Sequence, residues 1–316
     1  MQNKLNDISV IRVVAMLLVV YYHIICPYSM WRAPEGAGFY LPEYVGIATA
    51  LRNIHMPIFF LIAGYLFGYK RIRGGYAEAR GFLLGKAGRV LVPYATVGLL
   101  IIALRQGNLG QYFRGNMDHL WFLVTIFECY AVGKLIDFVL WEKSRTKTGV
   151  FVAAVMVMML QRMFALPLDG NFIDGFFFYL AGMLVASLNI DSLKKHRKTF
   201  VWLAAAALAL VVAAALYGSM YMPAGAVFVL LGFIPLRTAQ VGSLPRWMHS
   251  LDKCSMGIYI VHHIVIKGMN RVDILHHIMQ THYYIYPTAQ FVFVVALSWA
   301  VTWWLRHYRF SRYVGL

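Results

Sequence analysis

Arg12 and His23 stand eleven residues apart in one apolar run, and both are side chains that do chemistry. Eleven residues make three helical turns, so the two share a helix face about 16 Å apart along the axis. A guanidinium suits phosphate or carboxylate, and a neutral imidazole can take a proton from a hydroxyl as a general base. Ionisable groups at membrane depth usually mark a substrate or proton path. The plainer alternatives are an arginine snorkelling to the inner leaflet and a histidine bonded between helices.

Other chemistry-bearing residues follow along the chain. The segment Gly85 to Tyr94 reads as an inner loop before a third span, and it carries Lys86 and Arg89 three residues apart. That pair suits a phosphate or pyrophosphate, and equally a basic flank. On the outer side, Asp118-His119-Leu120-Trp121 opens a fourth span. His119 and Trp121 there can orient a polar acceptor or anchor the helix in the interface. Glu128 lies deeper and needs a partner, either a substrate or an ion-pair network with Arg162 and Asp174. A late span holds adjacent His262 and His263, which point about 100° apart on a helix, so at most one is expected to face a given cavity. His276, His277 and His282 lack an accompanying ligand set beyond Asp273, and no metal is expected. Cys26, Cys129 and Cys254 are scattered through apolar stretches without pairing or metal spacing.

These residues need helices to hold them. With 316 residues, 60% hydrophobic and 13% charged, the chain is too apolar for a soluble enzyme. The expected fold is all-α: a polytopic membrane protein of about ten spans, at 8–29, 54–69, 88–104, 119–141, 149–167, 171–188, 200–218, 221–236, 254–268 and 285–305. Arg12 interrupts the first apolar core and no small-residue cleavage site follows, so the first span reads as a retained helix rather than a signal peptide. Short connections predict a single domain over 1–316 without a separate soluble domain. Outward segments 30–53, 105–118 and 269–284 are candidates for re-entrant or interfacial pieces. Tyr283, Tyr284, Tyr286, Trp31 and Tyr112 in or beside them could stack on sugar rings or form an interfacial belt. Span 200–218 contains no ionisable residue and reads as a lipid-facing support.

The net charge of +16 has a topological explanation. Clusters at Lys70/Arg71/Arg73/Arg80/Lys86/Arg89, Lys143/Arg145/Lys147, Lys194/Lys195/Arg197/Lys198, Arg237/Arg246/Lys253 and Arg306/Arg309/Arg312 fall on one side, which puts both termini in the cytoplasm. Nucleic acid is not an expected partner.

Together these segments resemble the acyltransferase-3 family of integral membrane acyltransferases. Arg12 and His23 match its first-helix signature, an Arg and a His separated by ten residues. Pro57 to Leu66 is similar to its second-span motif, and Arg89 to Tyr94 to its basic, proline-containing third-span start. His119-Leu120-Trp121-Phe122-Leu123 and Ser255 to His262 resemble its His-Leu-Trp-Phe and Ser-x-Gly-Ile-Tyr-x-x-His segments. Three positions depart. Ser9 stands where many members have Asp, Ala63 replaces a common Ser, and Lys86 occupies the place of a second Arg in some relatives. The resemblance implies acyl transfer, most often acetyl from acetyl-CoA, onto a hydroxyl of a lipid-linked or cell-surface glycan. The site it implies has His23 and Arg12 as catalytic residues, and Lys86, Arg89 and Arg12 on the acyl-CoA phosphates. His119, Trp121 and His262 would lie on the acceptor, and Glu128, read from its depth alone, is placed with them. It further implies a multi-pass protein of the bacterial inner membrane, among membrane lipids, with a partner enzyme of a polysaccharide pathway as one route to complete the transfer. General-base transfer and an acyl-His23 intermediate both remain open. Two other classes compete: a carrier of a small carboxylate, acyl donor or amino acid, and an assembly subunit of a polysaccharide export complex. No inverted repeat supports a carrier.

Overall fold

The computed structural model describes residues 5–29, 41–76, 78–105, 109–140, 149, 156, 160, 170–216, 222–239, 241–308 and 311. Most of the expected span 149–167 lies outside the described residues, as do Trp31, Arg162, Arg309, Arg312 and the Lys143/Arg145/Lys147 cluster. The helices, in chain order, are α1 (Asn6–Ile25), α2 (Pro42–Ile72), α3 (Ala79–Arg105), α4 (Leu109–Phe113), α5 (Trp121–Leu140), α6 (Gly170–Ser187), α7 (Ile190–Lys195), α8 (Arg197–Leu216), α9 (Met222–Arg237), α10 (Arg246–Met269), α11 (Asp273–Thr281) and α12 (Tyr286–Leu305). No strand occurs among the described residues.

The chain is an all-α polytopic membrane protein. Seven stretches among the described residues are long and apolar enough to cross a bilayer, and Ala224–Arg237 is a shorter apolar helix. Helix α10 is 24 residues long, but Arg246, Asp252, Lys253 and Lys267 dilute its apolarity.

Two expectations need correction. Residues 42–53, read as part of an outward loop, are the first turns of α2, where Pro42 opens the helix. Glu43, Arg52 and Asn53 lower the hydropathy there and hid the helix. Gly85 to Tyr94, read as an inner loop, lies wholly within α3. Its two glycines and Pro93 weaken helix propensity locally without ending the helix.

The described residues form two compact units, Met1–Ile58 with Asn189–His307, and Phe59–Leu188 with Tyr308–Leu316. In the first unit, α10 packs on α1 and α12, α1 also packs on α12, and α8 pairs with α9. Helix α12 buries Gln290, Val294, Ser298 and Thr302 at four-residue intervals, one face of a helix. Val292, Phe293, Trp303 and Trp304 remain exposed, as lipid contact requires. Helix α8 is the least buried of the seven candidate spans, in keeping with the support role expected for it.

In the second unit α5 packs against α3 and α6. Helices α2 and α6 touch backbone to backbone. At Gly64 a Cβ would collide with the Tyr179 carbonyl, and at Gly182 with the backbone of Leu61 and Tyr65. Small residues permit such contact between membrane helices.

Candidate active site

His23 lies in the last turns of α1, where Pro27 and the short 3-10 turn Cys26–Tyr28 end the helix. Beyond it, Tyr28, Tyr44, Met279 and Tyr286 form a buried cluster with Ile25 and Ala48, and Tyr21, Tyr22 and Tyr283 pack against it. This packing fixes the helix end and hence the imidazole. His23 Nδ1 lies 2.9 Å from the Val19 carbonyl, four residues back. A carbonyl only accepts, so Nδ1 carries the proton and donates; in the neutral ring Nε2 then holds the lone pair.

Both histidines of α10 meet this ring. The centroids of His262 and His263 lie 5.0 and 5.1 Å from that of His23. His262 Nε2 approaches His23 Nδ1 to 3.2 Å. At most one was expected to face a given cavity, and both border the His23 ring. Side chains 100° apart can straddle a ring that packs between them. His55, buried on α2, adds a fourth imidazole, with its centroid 4.8 Å from the ring of Tyr22, the residue next to His23. Its Nδ1 also bonds the carbonyl four residues back, that of Leu51. His55 was not among the expected site residues, although a histidine at the start of the apolar span 54–69 is a visible signal in sequence. Among the described residues no group of three or more His, Cys, Asp or Glu side chains is placed to hold a metal ion.

Three turns before His23, Arg12 Nη1 donates to Asp252 Oδ1 at 3.0 Å, and Ser9 Oγ donates to the other oxygen at 2.8 Å. One turn earlier Asp7, 6% exposed, accepts from Arg237 Nη1 at 2.8 Å. Asn6 Nδ2 donates to the Gly242 carbonyl. The near end of α1 is thus tied to α9, to α10 and to the segment between them.

The second unit holds the other expected site residues. Lys86 Nζ sits 4.1 Å from the centre of the Tyr130 ring, with Phe82 at 5.6 Å and Tyr76 at 5.8 Å, a cation–π box around the ammonium. Arg89, on the next turn, is exposed. Nearby on this unit's helices, buried Asp137 accepts from Lys134 at 2.7 Å and from Arg71 at 2.9 Å, while Lys134 also donates to the Tyr76 carbonyl. That network anchors the turn carrying Tyr76. His119 is buried in the 3-10 turn before α5, Trp121 is half-buried against Phe122, and Glu128 is half-buried on α5. Of the aromatics read as sugar platforms, Tyr286 is buried and Tyr283 half-buried in the tyrosine cluster, Tyr112 stacks on Tyr94, and Tyr284 is exposed.

A family model described as an acyltransferase domain, of the acyltransferase-3 type, matches residues 5–307. The chain belongs to the acyltransferase-3 family. It is a membrane acyltransferase. No curated protein and no solved structure matches it. As an acyltransferase-3 member it retains the Arg12–His23 pair, and its departure at position 9 has a structural counterpart. Where many relatives have Asp, Ser9 binds Asp252, and Asp252 gives Arg12 its carboxylate from another helix.

Proposed function

We propose that this acyltransferase moves an acyl group, most often acetyl, from cytoplasmic acyl-CoA to a hydroxyl of a lipid-linked or cell-surface glycan in a bacterial inner membrane. The observation that carries the reading is the pinned His23 ring: the Val19 carbonyl holds the Nδ1 proton, so Nε2 has the lone pair a general base needs. Nε2 takes the acceptor hydroxyl proton as the oxygen bonds to the acyl carbon. The carbon–sulfur bond then breaks, and the CoA thiolate leaves with that proton returned from Nε2.

Lys86 and Arg89 offer the donor's phosphates one point charge and one bidentate fork. Arg12, its charge paired with that of Asp252, holds the α1 helix in place at the inner end of the site. His119, Trp121 and Glu128 are assigned to the acceptor. Such chemistry uses acyl-CoA as co-substrate and calls for no metal.

Protein in nanodiscs, supplied with acetyl-CoA and a lipid-linked glycan extract, tests this directly. Stoichiometric release of CoA thiol and appearance of acetylated glycan are the expected results. Uptake of acetate or acyl donor into vesicles, without thiol release in either preparation, would replace the reading with a carrier.

A further inference from the structure

We propose that His262 is a positioning residue for His23, a neutral acceptor that holds the catalytic ring and shares the charge it acquires. The inference rests on the acyltransferase reading above and deepens it.

The assignment follows from donors and acceptors alone. His262 Nδ1 lies 3.0 Å from the Ile258 carbonyl, four residues back in α10. That oxygen can only accept, so His262 carries its proton on Nδ1 and presents a lone pair at Nε2. The Nε2 atom faces His23 Nδ1 at 3.2 Å. His23 Nδ1 carries a proton for an independent reason, its contact with the Val19 carbonyl. The donor of one ring therefore meets the acceptor of the other, and two backbone carbonyls on two helices enforce the match. The opposite tautomer of His23 would set two lone pairs against each other, and that of His262 two protons.

The consequence appears when His23 takes the hydroxyl proton at Nε2. The ring becomes an imidazolium, and its Nδ1–H bonds to Val19 and His262 become charge-assisted, roughly twice as strong as neutral ones. His262 is fully buried, so this stabilisation acts in a low-dielectric setting where it counts for more than in water. The carboxylate of a Ser-His-Asp triad orients and stabilises its imidazolium in the same way. A neutral imidazole does so here without burying a negative charge beside the reacting oxygen.

His262→Phe keeps the ring volume and removes the acceptor, whereas His262→Gln keeps an acceptor at the reach of Nε2. With wild type, both variants are assayed in nanodiscs for kcat and for KM of acetyl-CoA. The Phe variant is expected to lose roughly ten- to a hundredfold in kcat, the scale of one charge-assisted bond, at unchanged KM. The Gln variant should recover most of that loss. Histidine ¹⁵N spectra of the unsubstituted protein supply a readout free of any folding defect, with protonated Nδ1 and bare Nε2 expected on both rings. Wild-type turnover in the Phe variant, equal losses in both variants, or a protonated Nε2 on His262 would overturn the inference. Absence of acyl transfer by the wild type would instead remove the reading beneath it.

Discussion

Asp252 supplies Arg12 with a counter-charge from 240 residues away, and Arg237 does the same for Asp7 across 230 residues. The two pairs differ in burial. Arg12 and Asp252 side chains are 30% and 11% exposed, those of Arg237 and Asp7 14% and 7%. Removing one partner of a buried pair leaves a desolvated charge, a cost of about 3–5 kcal/mol, and less where water still reaches the group. Asp7→Asn is therefore expected to lower thermal stability in detergent more than Asp252→Asn. A larger loss from the Asp252 substitution would contradict this ranking. At this scale the sequence revealed the reactive types and their spacing but not their partners. Arg12 and His23 could be aligned by counting along one helix, because periodicity is a local property. Asp252 could not be matched to Arg12, since nothing in local sequence encodes a contact between distant helices. The same limit applied to His262 and His263. Their angular separation was legible, while the ring packed between them was not.

Helices are where local pattern was most informative, and where polar residues misled it. Glu43, Arg52 and Asn53 hid the first turns of α2, and Arg246, Asp252 and Lys253 hid the first turns of α10, of which only 254–268 was expected as a span. Asp252, the partner of Arg12 in the candidate site, is one of these polar residues. A functional membrane helix is diluted where it does its work, so hydropathy reads its supports, such as α8, more clearly. The α2–α6 contact makes a prediction at this scale. Gly182 lies against the backbone of Leu61 and Tyr65, with no flexible side chain that could yield. Gly182→Leu should force the helices apart and destabilise the second unit by more than about 1–3 kcal/mol, the usual range for overpacking, because backbone rather than side chain must move. Limited proteolysis or thermal aggregation in detergent would register it, and wild-type behaviour would contradict the close packing.

Over the whole molecule, one physical pattern explains both the composition and the chemistry. The basic clusters of this +16 chain follow the asymmetry expected of loops flanking membrane spans, and its 60% hydrophobic content suits burial in lipid. Arg12 and His23 lie outside the basic clusters and still have partners in the fold, as do Arg71, Lys86 and Arg237 within them. The first unit collects Arg12, Asp252, His23, His55, His262 and His263; the second collects Lys86, Arg89, His119, Trp121 and Glu128. The sequence order of family motifs made this class of protein legible before any coordinates. The most direct test of the central claim, that His23 is the base for acyl transfer, compares wild type with His23→Ala in nanodiscs using radiolabelled acetyl-CoA and lipid-linked glycan. Loss of a general base predicts a fall in labelled product of about a hundredfold or more with the protein still inserted and folded. Labelled glycan at the wild-type rate from the His23→Ala protein would contradict it.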